Sequence, residues 1–249
     1  MNAAALYDAI AEVYDLSGQS RFSLRMVSYL LEILALRRAR PRRVVDLACG
    51  TGAAAVALAR RGFEVTGVDG SEAMLARART RAARWKANVR FECQGLADLD
   101  IPACYDLGTC FYDSINHLIE PDDVRKLFFA VRRALVPGGL FFFDVNTPYA
   151  LAEVWGNATD CHLAEAYARF WRASYDAASG LATLDATYFL RREGHYERLA
   201  ATHVARGYTP DGITGWLREA GLTPIATYAC FSFEPADART YRVAYLAQA

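Results

Sequence analysis

Two glycines and two acids near residue 50 have the types and spacing of a nucleotide-binding site. Asp46 lies in a short apolar run, residues 44–47, that predicts a parallel strand buried on both faces. Gly50 and Gly52 follow at a turn, where missing side chains let a ligand approach backbone N–H groups. Asp69 ends the next predicted strand, 17 residues after Gly52, close to the roughly 20 residues of a dinucleotide fold. A carboxylate there can accept hydrogen bonds from both hydroxyls of a ribose.

Alternating helices and strands must bring these residues to one edge of a sheet. Apolar periodicity predicts helices over residues 3–15, 20–37, 53–60, 71–86, 121–136 and 210–220. It predicts strands over 44–47, 64–69, 89–93, 106–111, 140–145, 223–231 and 239–246. Pro137-Gly138-Gly139 is expected to end the helix before the fifth strand.

The pattern resembles that of the class I methyltransferases that use S-adenosylmethionine (SAM). The matching runs are 46–52, Asp-Leu-Ala-Cys-Gly-Thr-Gly, and 68–75, Val-Asp-Gly-Ser-Glu-Ala-Met-Leu. The NAD fingerprint differs, because it requires a third glycine where Ala55 stands. The resemblance implies an α/β fold with a Rossmann-like, seven-stranded, mostly parallel sheet of order 3-2-1-4-5-7-6. It also implies SAM as cofactor and S-adenosylhomocysteine (SAH) as product.

The end of the third strand departs from the family. An acid that binds the adenine amine often stands there, but this chain has Gln94-Gly95-Leu96, and the nearest acid is Asp98. We therefore expect Gln94, or the backbone of Gly95 and Leu96, to hold the adenine. The full expected cofactor set is Tyr14, Asp46, Ala48, Cys49, Gly50, Thr51, Gly52, Asp69, Gly70, Met74, Gln94, Gly95, Leu96, Phe111 and Tyr112.

Tyr14 lies in the segment 10–15, which resembles the N-terminal lid of small-molecule methyltransferases. There the matching tyrosine contacts the methionine end of the cofactor; the alternative is a tyrosine that covers the core. Together with Phe111 and Tyr112, it is a candidate for an aromatic wall against the cofactor's cation.

A polar loop follows the fourth strand, where an open α/β sheet binds its ligands. Ser114, His117 and Leu118 match glycine and amino-sugar N-methyltransferases. We expect Asp113, Asn116 and His117 to be catalytic, with His117 as proton acceptor. Alternatively, His117 caps or orients the loop.

Residues 161–175, 181–192 and 195–207 alternate polar and apolar side chains, with turn sequences Ser179-Gly180 and Glu193-Gly194 between them. This predicts a three-stranded antiparallel insert after the fifth strand. The insert would cover the site and select the acceptor, although aromatic residues in strands also serve to pack a sheet face. The residues expected to contact substrate are Tyr7, Asn146, Tyr167 and Trp171.

The domain prediction follows from these segments. Residues 1–40 form a helical lid, 41–147 and 208–249 form the SAM-binding core, and 148–207 form the substrate lid. We expect a monomer or homodimer.

Composition restricts the partners. Lys and Arg total 28 and Asp and Glu total 28, so the formal charge is zero, which disfavours nucleic-acid binding. Six cysteines without paired spacing indicate reduced thiols, a cytoplasmic location and no metal site. The chain shows neither a leader pattern nor a run that would span a membrane.

The predicted function is SAM-dependent methylation of a small molecule, foremost at an amine nitrogen, by in-line displacement. The alternatives are a protein that binds SAM or SAH without turnover, and an RNA or protein methyltransferase.

Overall fold

The computed structural model describes residues 3–249, which form six α-helices and two β-sheets. The helices are α1 (Ala3–Leu16), α2 (Ser20–Leu36), α3 (Ala53–Ala59), α4 (Glu72–Arg84), α5 (Pro121–Ala134) and α6 (Pro210–Glu219). The strands of the large sheet are β1 (Arg43–Leu47), β2 (Glu64–Asp69), β3 (Val89–Cys93), β4 (Tyr105–Cys110), β5 (Leu135–Asn146), β10 (Thr223–Ala229) and β11 (Arg242–Gln248). Those of the insert are β6 (Thr159–Leu163), β7 (Tyr167–Asp176), β8 (Leu181–Arg192) and β9 (His195–Arg206).

The large sheet has the strand order β3-β2-β1-β4-β5-β11-β10. The first five strands run parallel, while β11 pairs antiparallel with both β5 and β10. Because β10 and β11 are the sixth and seventh strands of this sheet in chain order, the predicted order 3-2-1-4-5-7-6 is confirmed. The carboxyl ends of β1, β2 and β4 therefore meet at one edge, as the site requires.

Helices cover both faces of this sheet. Val44 packs in a cluster with α2 and α3, whereas its neighbour Val45 packs with α5 and α6 on the opposite face. Both valines are almost completely buried, since successive side chains of a strand point to opposite faces. This double burial explains why β1 is a continuous apolar run.

The insert has four strands, in the order β6-β7-β8-β9, so the prediction of three strands was wrong. The segment 161–175 contains a chain reversal at residues 164–166, which the N–H of Ala164 closes by donating to the carbonyl of Tyr167. Its residues are Ala-Glu-Ala, without the Gly, Pro or Asn that mark most tight turns. The predicted turns at Gly180 and Gly194 are present, and both glycines have positive φ.

Several boundaries also differ from the prediction, and two of them have a local cause. Helix α5 ends at Ala134, and Pro137-Gly138-Gly139 lies within β5, where pairing with β4 is irregular. Strand β11 begins at Arg242 rather than at residue 239, because Asp237 and Thr240 form a hydrogen-bonded turn before it. Within residues 3–249, no helix is both long and apolar enough to cross a membrane.

Candidate active site

The glycine turn after β1 leaves open space beside its backbone. Gly50 has φ of +54°, and a Cβ added there would meet no atom within 4 Å. Gly52 has a different role, since an added Cβ would lie 2.8 Å from the Cβ of Ala78 in α4. Gly50 thus leaves room for a ligand, while Gly52 permits close packing of α4.

Asp69, at the end of β2, is held beside this turn. Its Oδ2 accepts a hydrogen bond from the N–H of Gly50 at 2.8 Å, and its Oδ1 accepts one from the N–H of Ser71 at 2.9 Å. Burial raises the pKa of Asp69, and these two hydrogen bonds oppose the rise. Each carboxylate oxygen retains acceptor capacity, so the group can bind a pair of hydroxyls.

Three cavities meet at the side chain of Tyr7. The glycine-loop cavity has an empty volume of about 480 Å³ and is lined by Tyr7, Tyr14, Ser20, Ser23, Ala48, Cys49, Gly50, Thr51, Ala53, Asp69, Met74, Phe111, Tyr112 and Ser114. The β3 cavity, of about 930 Å³, is lined by Tyr7, Ala48, Asp69, Gly70, Ser71, Gln94, Gly95, Leu96, Ala97, Asp98, Ser114, His117 and Leu118.

The third, the insert cavity, lies between the large sheet and the insert. It measures about 950 Å³ including its open mouth and is lined by Tyr7, Tyr14, Gln19, Tyr112, Asp113, His117, Val154, Trp155, Ala158, Asp160, Trp171, Ala173, Leu184, His203 and Arg242.

All of the expected cofactor residues except Asp46 and Gly52 line the glycine-loop cavity or the β3 cavity. Asp46 is 2% exposed, and its Oδ1 accepts a hydrogen bond from the hydroxyl of Thr109 at 2.7 Å. Burial raises the pKa of Asp46 to about 7. The side chain of Asp46 therefore links β1 to β4 through Thr109 and lines neither cavity.

The side chain of Gln94 is already engaged at the β3 cavity. Its Oε1 accepts a hydrogen bond from the N–H of Asp100 at 2.9 Å, and its Nε2 donates to Glu92 at 3.4 Å. The exposed carboxylate of Asp98 lines the same cavity from the 3₁₀ turn after β3. An acid is therefore available beside the predicted adenine position, although it does not directly follow the strand.

A chain of two hydrogen bonds joins Tyr7 to the insert through His117. The Nδ1 of His117 lies 3.1 Å from the carbonyl oxygen of Val204, and its Nε2 lies 3.1 Å from the hydroxyl of Tyr7. Because a carbonyl only accepts, Nδ1 carries a proton and donates it. In the neutral imidazole, Nε2 then accepts from Tyr7. Burial raises the pKa of Tyr7, so its phenol remains a donor.

The loop after β4 makes a strained turn that directs Tyr112 into the cavities. Tyr112 and Asp113 both have positive φ, at 63° and 50°, a conformation that costs a non-glycine residue roughly 1–3 kcal/mol. The carboxylate of Asp144, at the end of β5, accepts both of their N–H groups, at 2.7 and 2.9 Å. The Tyr112 ring stacks on Phe22, with centroids 4.7 Å apart.

Arg242 connects the two carboxylates beneath this turn. It donates to Asp144 and to Asp113, the latter at 3.0 Å. Burial raises the pKa of Asp144, and the guanidinium opposes that rise. The second oxygen of Asp113 accepts from Asn146 at 3.0 Å. When both acids are ionised, this cluster of one cation and two carboxylates beside the insert cavity is net negative.

Asn116, Asn146 and Tyr167 line none of the three cavities. The amide of Asn116 is fully buried and bonds backbone groups of Asn146 and Arg206. Asn146 is likewise buried, and Tyr167 packs in the cluster between α1 and the insert. These three side chains tie the loop and the insert to the core.

The insert cavity has polar lining residues that the sequence did not predict. Trp171 was expected there, and its Nε1 donates to the hydroxyl of Tyr188 at 3.2 Å. His203 was missed, although Ala201, His203 and Ala205 alternate as the inward, buried positions of β9. A histidine among small apolar inward residues is the available signal. The other lining residues that were missed include Gln19, Asp160 and Arg242.

Helix α1 covers the cavities and is fastened to three other segments. Asp8 accepts from the hydroxyl of Ser71 at the start of α4. Asp15 accepts from Thr51 in the glycine turn at 2.8 Å. Glu12 pairs with Arg192 of the insert at 2.7 Å. The helix that carries Tyr7 and Tyr14 is thus bound to both the core and the insert.

Comparison with known proteins agrees with this geometry. Residues 44–139 match the family model described as a methyltransferase domain. A Geobacillus sp. (strain WCH70) protein classed as a methyltransferase is 31% identical over 244 residues, covering 97% of this chain and 99% of that protein.

Solved structures share the fold. A SAM-dependent methyltransferase from Clostridium acetobutylicum ATCC 824 superposes with a TM-score of 0.86 at 28% identity, covering 97% of this chain and 98% of that one. A sugar N-methyltransferase from Streptoalloteichus sp. ATCC 53650 has a TM-score of 0.76 at 20% identity, with 94% and 92% covered.

The open space at Gly50 and the fixed carboxylate of Asp69 fit SAM, the cofactor on which the Clostridium acetobutylicum methyltransferase depends. From its strand order, its glycine turn and its full-length similarity to these proteins, the chain belongs to the class I SAM-dependent methyltransferases.

Proposed function

We propose that the protein methylates an amine nitrogen of a small molecule bound in the insert cavity. The observation that carries this proposal is the hydrogen-bonded chain from Tyr7 through His117 to the carbonyl of Val204. Tyr7 borders all three cavities. A cofactor in the glycine-loop and β3 cavities and an acceptor in the insert cavity would therefore meet at its hydroxyl.

The cofactor would lie along the carboxyl ends of β1 and β2. The turn at Gly50 would receive its methionine portion, and Asp69 would bind the ribose hydroxyls. Asp98, or the backbone of Gly95 and Leu96, would hold the adenine. When bound, SAM supplies a methyl group on a sulfonium for in-line displacement.

Alignment is the main task of the protein in such a displacement. Tyr14 and Tyr112 line both the glycine-loop cavity and the insert cavity, so their rings would flank the path between donor and acceptor. Aromatic rings also attract a cation, by roughly 0.5–2 kcal/mol. Correct placement of two reactants can contribute roughly 7–11 kcal/mol.

The Tyr7–His117 pair would receive the proton that methylation makes acidic. A neutral amine attacks and becomes an ammonium. Its N–H proton then passes to the Tyr7 oxygen as the phenol proton moves to Nε2 of His117. The resulting imidazolium keeps its Nδ1–H bond to Val204, and Tyr7 is never a phenolate, in keeping with its raised pKa.

Charge in the insert cavity also supports an amine. Among the described residues that line it, Arg242 is the one Lys or Arg, and it is engaged by two carboxylates. Such a cluster attracts the ammonium form of an amine, which must lose a proton before it attacks, and it offers no free cation to a phosphate. The match of Ser114, His117 and Leu118 to N-methyltransferases and the sugar N-methyltransferase of the same fold support the same acceptor atom.

The test combines binding with turnover. Isothermal titration measures SAM and SAH affinity, and methyl-labelled SAM with a panel of small amines and amino sugars detects products. We expect labelled N-methyl products. SAM binding without transfer to any acceptor would indicate a binding protein, and label in RNA or protein would indicate a macromolecular substrate.

A further inference from the structure

His203 occupies the insert cavity next to the proposed proton path. It lies on β9, and its ring centroid is 5.5 Å from that of Tyr7 and 5.8 Å from that of His117. The residue is 7% exposed and lines the cavity. His203 therefore faces the place where an acceptor must sit to reach Tyr7.

The two histidines differ in what their nitrogens contact. Both ring nitrogens of His117 are used, by Tyr7 and by Val204. Among the residues that the structure describes, the ring nitrogens of His203 have no hydrogen-bond partner. Since buried polar side chains are nearly always hydrogen-bonded, an imidazole left without one in an open cavity indicates a position for a ligand group.

The environment of His203 keeps it uncharged. Burial, together with the nearby His117, lowers the pKa of His203 to about 3. A neutral imidazole has one donor and one acceptor nitrogen, which suits a hydroxyl group. It also adds no positive charge beside the cofactor's cation.

We propose that His203 binds a hydroxyl group of the acceptor, next to the amine whose proton Tyr7 receives. The substrate is then an amino alcohol. This inference rests on the proposed amine methylation. The carbon atoms of such a substrate would contact Trp155, Trp171 and Leu184, which line the same cavity. His203 is then a positioning residue, because it holds the acceptor without touching the reacting nitrogen.

A matched pair of amines tests this assignment. Both trans-2-aminocyclohexanol and cyclohexylamine carry a primary amine on a six-membered ring, but only the first has the hydroxyl. We expect the wild type to favour the amino alcohol in kcat/KM by about 3–10-fold, the scale of one net hydrogen bond. The preference should arise in KM, with SAM affinity unchanged.

Three variants identify the side chain responsible. His203→Leu should methylate both amines with equal kcat/KM, because it cannot bind the hydroxyl. His203→Gln should retain part of the preference, because it still offers a donor and an acceptor. His195→Leu is the control, since His195 is exposed at the hairpin tip between β8 and β9 and should behave as the wild type.

The failures can be told apart. If the wild type methylates both amines without preference, or if His203→Leu keeps the preference, the role of His203 is refuted while amine methylation stands. If the wild type methylates other amines of the panel but not the amino alcohol, the inference alone fails. If it binds SAM and methylates no amine at all, amine methylation and the inference both fail.

A second measurement applies if His203→Leu does not fold. In SAH-saturated wild-type protein, trans-2-aminocyclohexanol should shift the ring ¹⁵N resonances of His203, assigned with His203→Gln, and cyclohexylamine should not. Equal shifts with both amines, or shifts with neither, would contradict the proposed contact.

Discussion

The carboxylate of Asp144 accepts a hydrogen bond from the backbone N–H of Tyr112 at 2.7 Å. It thereby stabilises a turn in which Tyr112 and Asp113 are both left-handed. Asp144 is fully buried, so the contact connects β5 to the loop that supplies the cavities with an aromatic ring and a carboxylate. The aromatic wall thus depends on an acid that does not itself line any of the three cavities.

Replacing Asp144 with Asn tests this support. The new amide keeps one acceptor oxygen, but its NH₂ group faces a backbone N–H. Arg242 then has Asp113 as its only carboxylate partner among the two that it contacts. We expect a loss of about 3 kcal/mol in the free energy of unfolding, measured by urea denaturation. Asp185→Asn, which breaks an exposed pair with Arg172, should change stability by less than about 1 kcal/mol. Equal losses in the two variants would show that burial of Asp144 has no special effect.

The main sheet was predictable because its signals are local. Buried valines of β1, the glycine turn and the acid of β2 all lie within 27 residues, 43–69. The chain reversal at residues 164–166 had no such signal, because the alternation of polar and apolar side chains continues across a turn that contains neither Gly nor Pro. A period-2 pattern cannot distinguish one long strand from a hairpin whose turn uses ordinary residues.

The insert cavity was harder to predict because its lining residues come from segments that are distant in sequence. His203 and Arg242 reach the cavity from β9 and β11, and no short motif surrounds either one. Within the polar loop, Ser114–His117 forms a 3₁₀ turn in which successive side chains point about a third of a turn apart. His117 therefore faces the cavity while Asn116 faces the core, a difference that proximity in sequence does not reveal.

Asp69→Ala should weaken SAM binding. The variant loses the carboxylate proposed to bind the ribose, and hydrogen bonds to charged groups contribute about 1.5–3 kcal/mol. It also leaves the N–H groups of Gly50 and Ser71 without their acceptor. Isothermal titration measures the loss, with circular dichroism as the check on folding. A folded Asp69→Ala protein with wild-type affinity would refute the ribose assignment.

His117→Ala and Tyr7→Phe together test the proton path. If the two side chains act as one unit, each change should lower turnover by roughly 10²–10⁴-fold, and the double variant should be little worse than either. SAM affinity should be nearly unchanged. Additive losses of turnover would show that the two residues act independently. A parallel loss of thermal stability and SAM binding in His117→Ala would indicate that His117 only orients the loop.

Proteolysis tests the proposed separation of the insert. Loop tips are cleaved before packed strands, so a protease should first cut near Ser179-Gly180 or Glu193-Gly194, the two hairpin tips. SAH should protect these sites less than it protects α1, which covers the glycine turn. A first cut within residues 44–145, identified by mass spectrometry, would contradict a separable lid.

The depressed pKa of His203 predicts how acid affects stability. In the unfolded chain the imidazole titrates near 6.5, whereas in the folded protein its pKa is about 3. Below pH 6.5 the unfolded state therefore binds a proton that the folded state does not, and stability falls by up to about 1.4 kcal/mol per pH unit. Above pH 6.5 both states are neutral and the effect vanishes.

Comparison with His203→Gln isolates this effect. Between pH 7 and pH 5, the wild type should lose about 2 kcal/mol more unfolding free energy than the variant, because Gln does not titrate. The other groups that face this site, His117, Tyr7, Asp113 and Arg242, are common to both proteins, so their contributions largely cancel in the difference. His195→Gln, at an exposed position, should follow the wild type. Parallel pH curves for wild type and His203→Gln, measured by urea unfolding, would mean that His203 is protonated as readily in the folded protein as in the unfolded chain, and a neutral imidazole would then be ruled out as the hydroxyl-binding group.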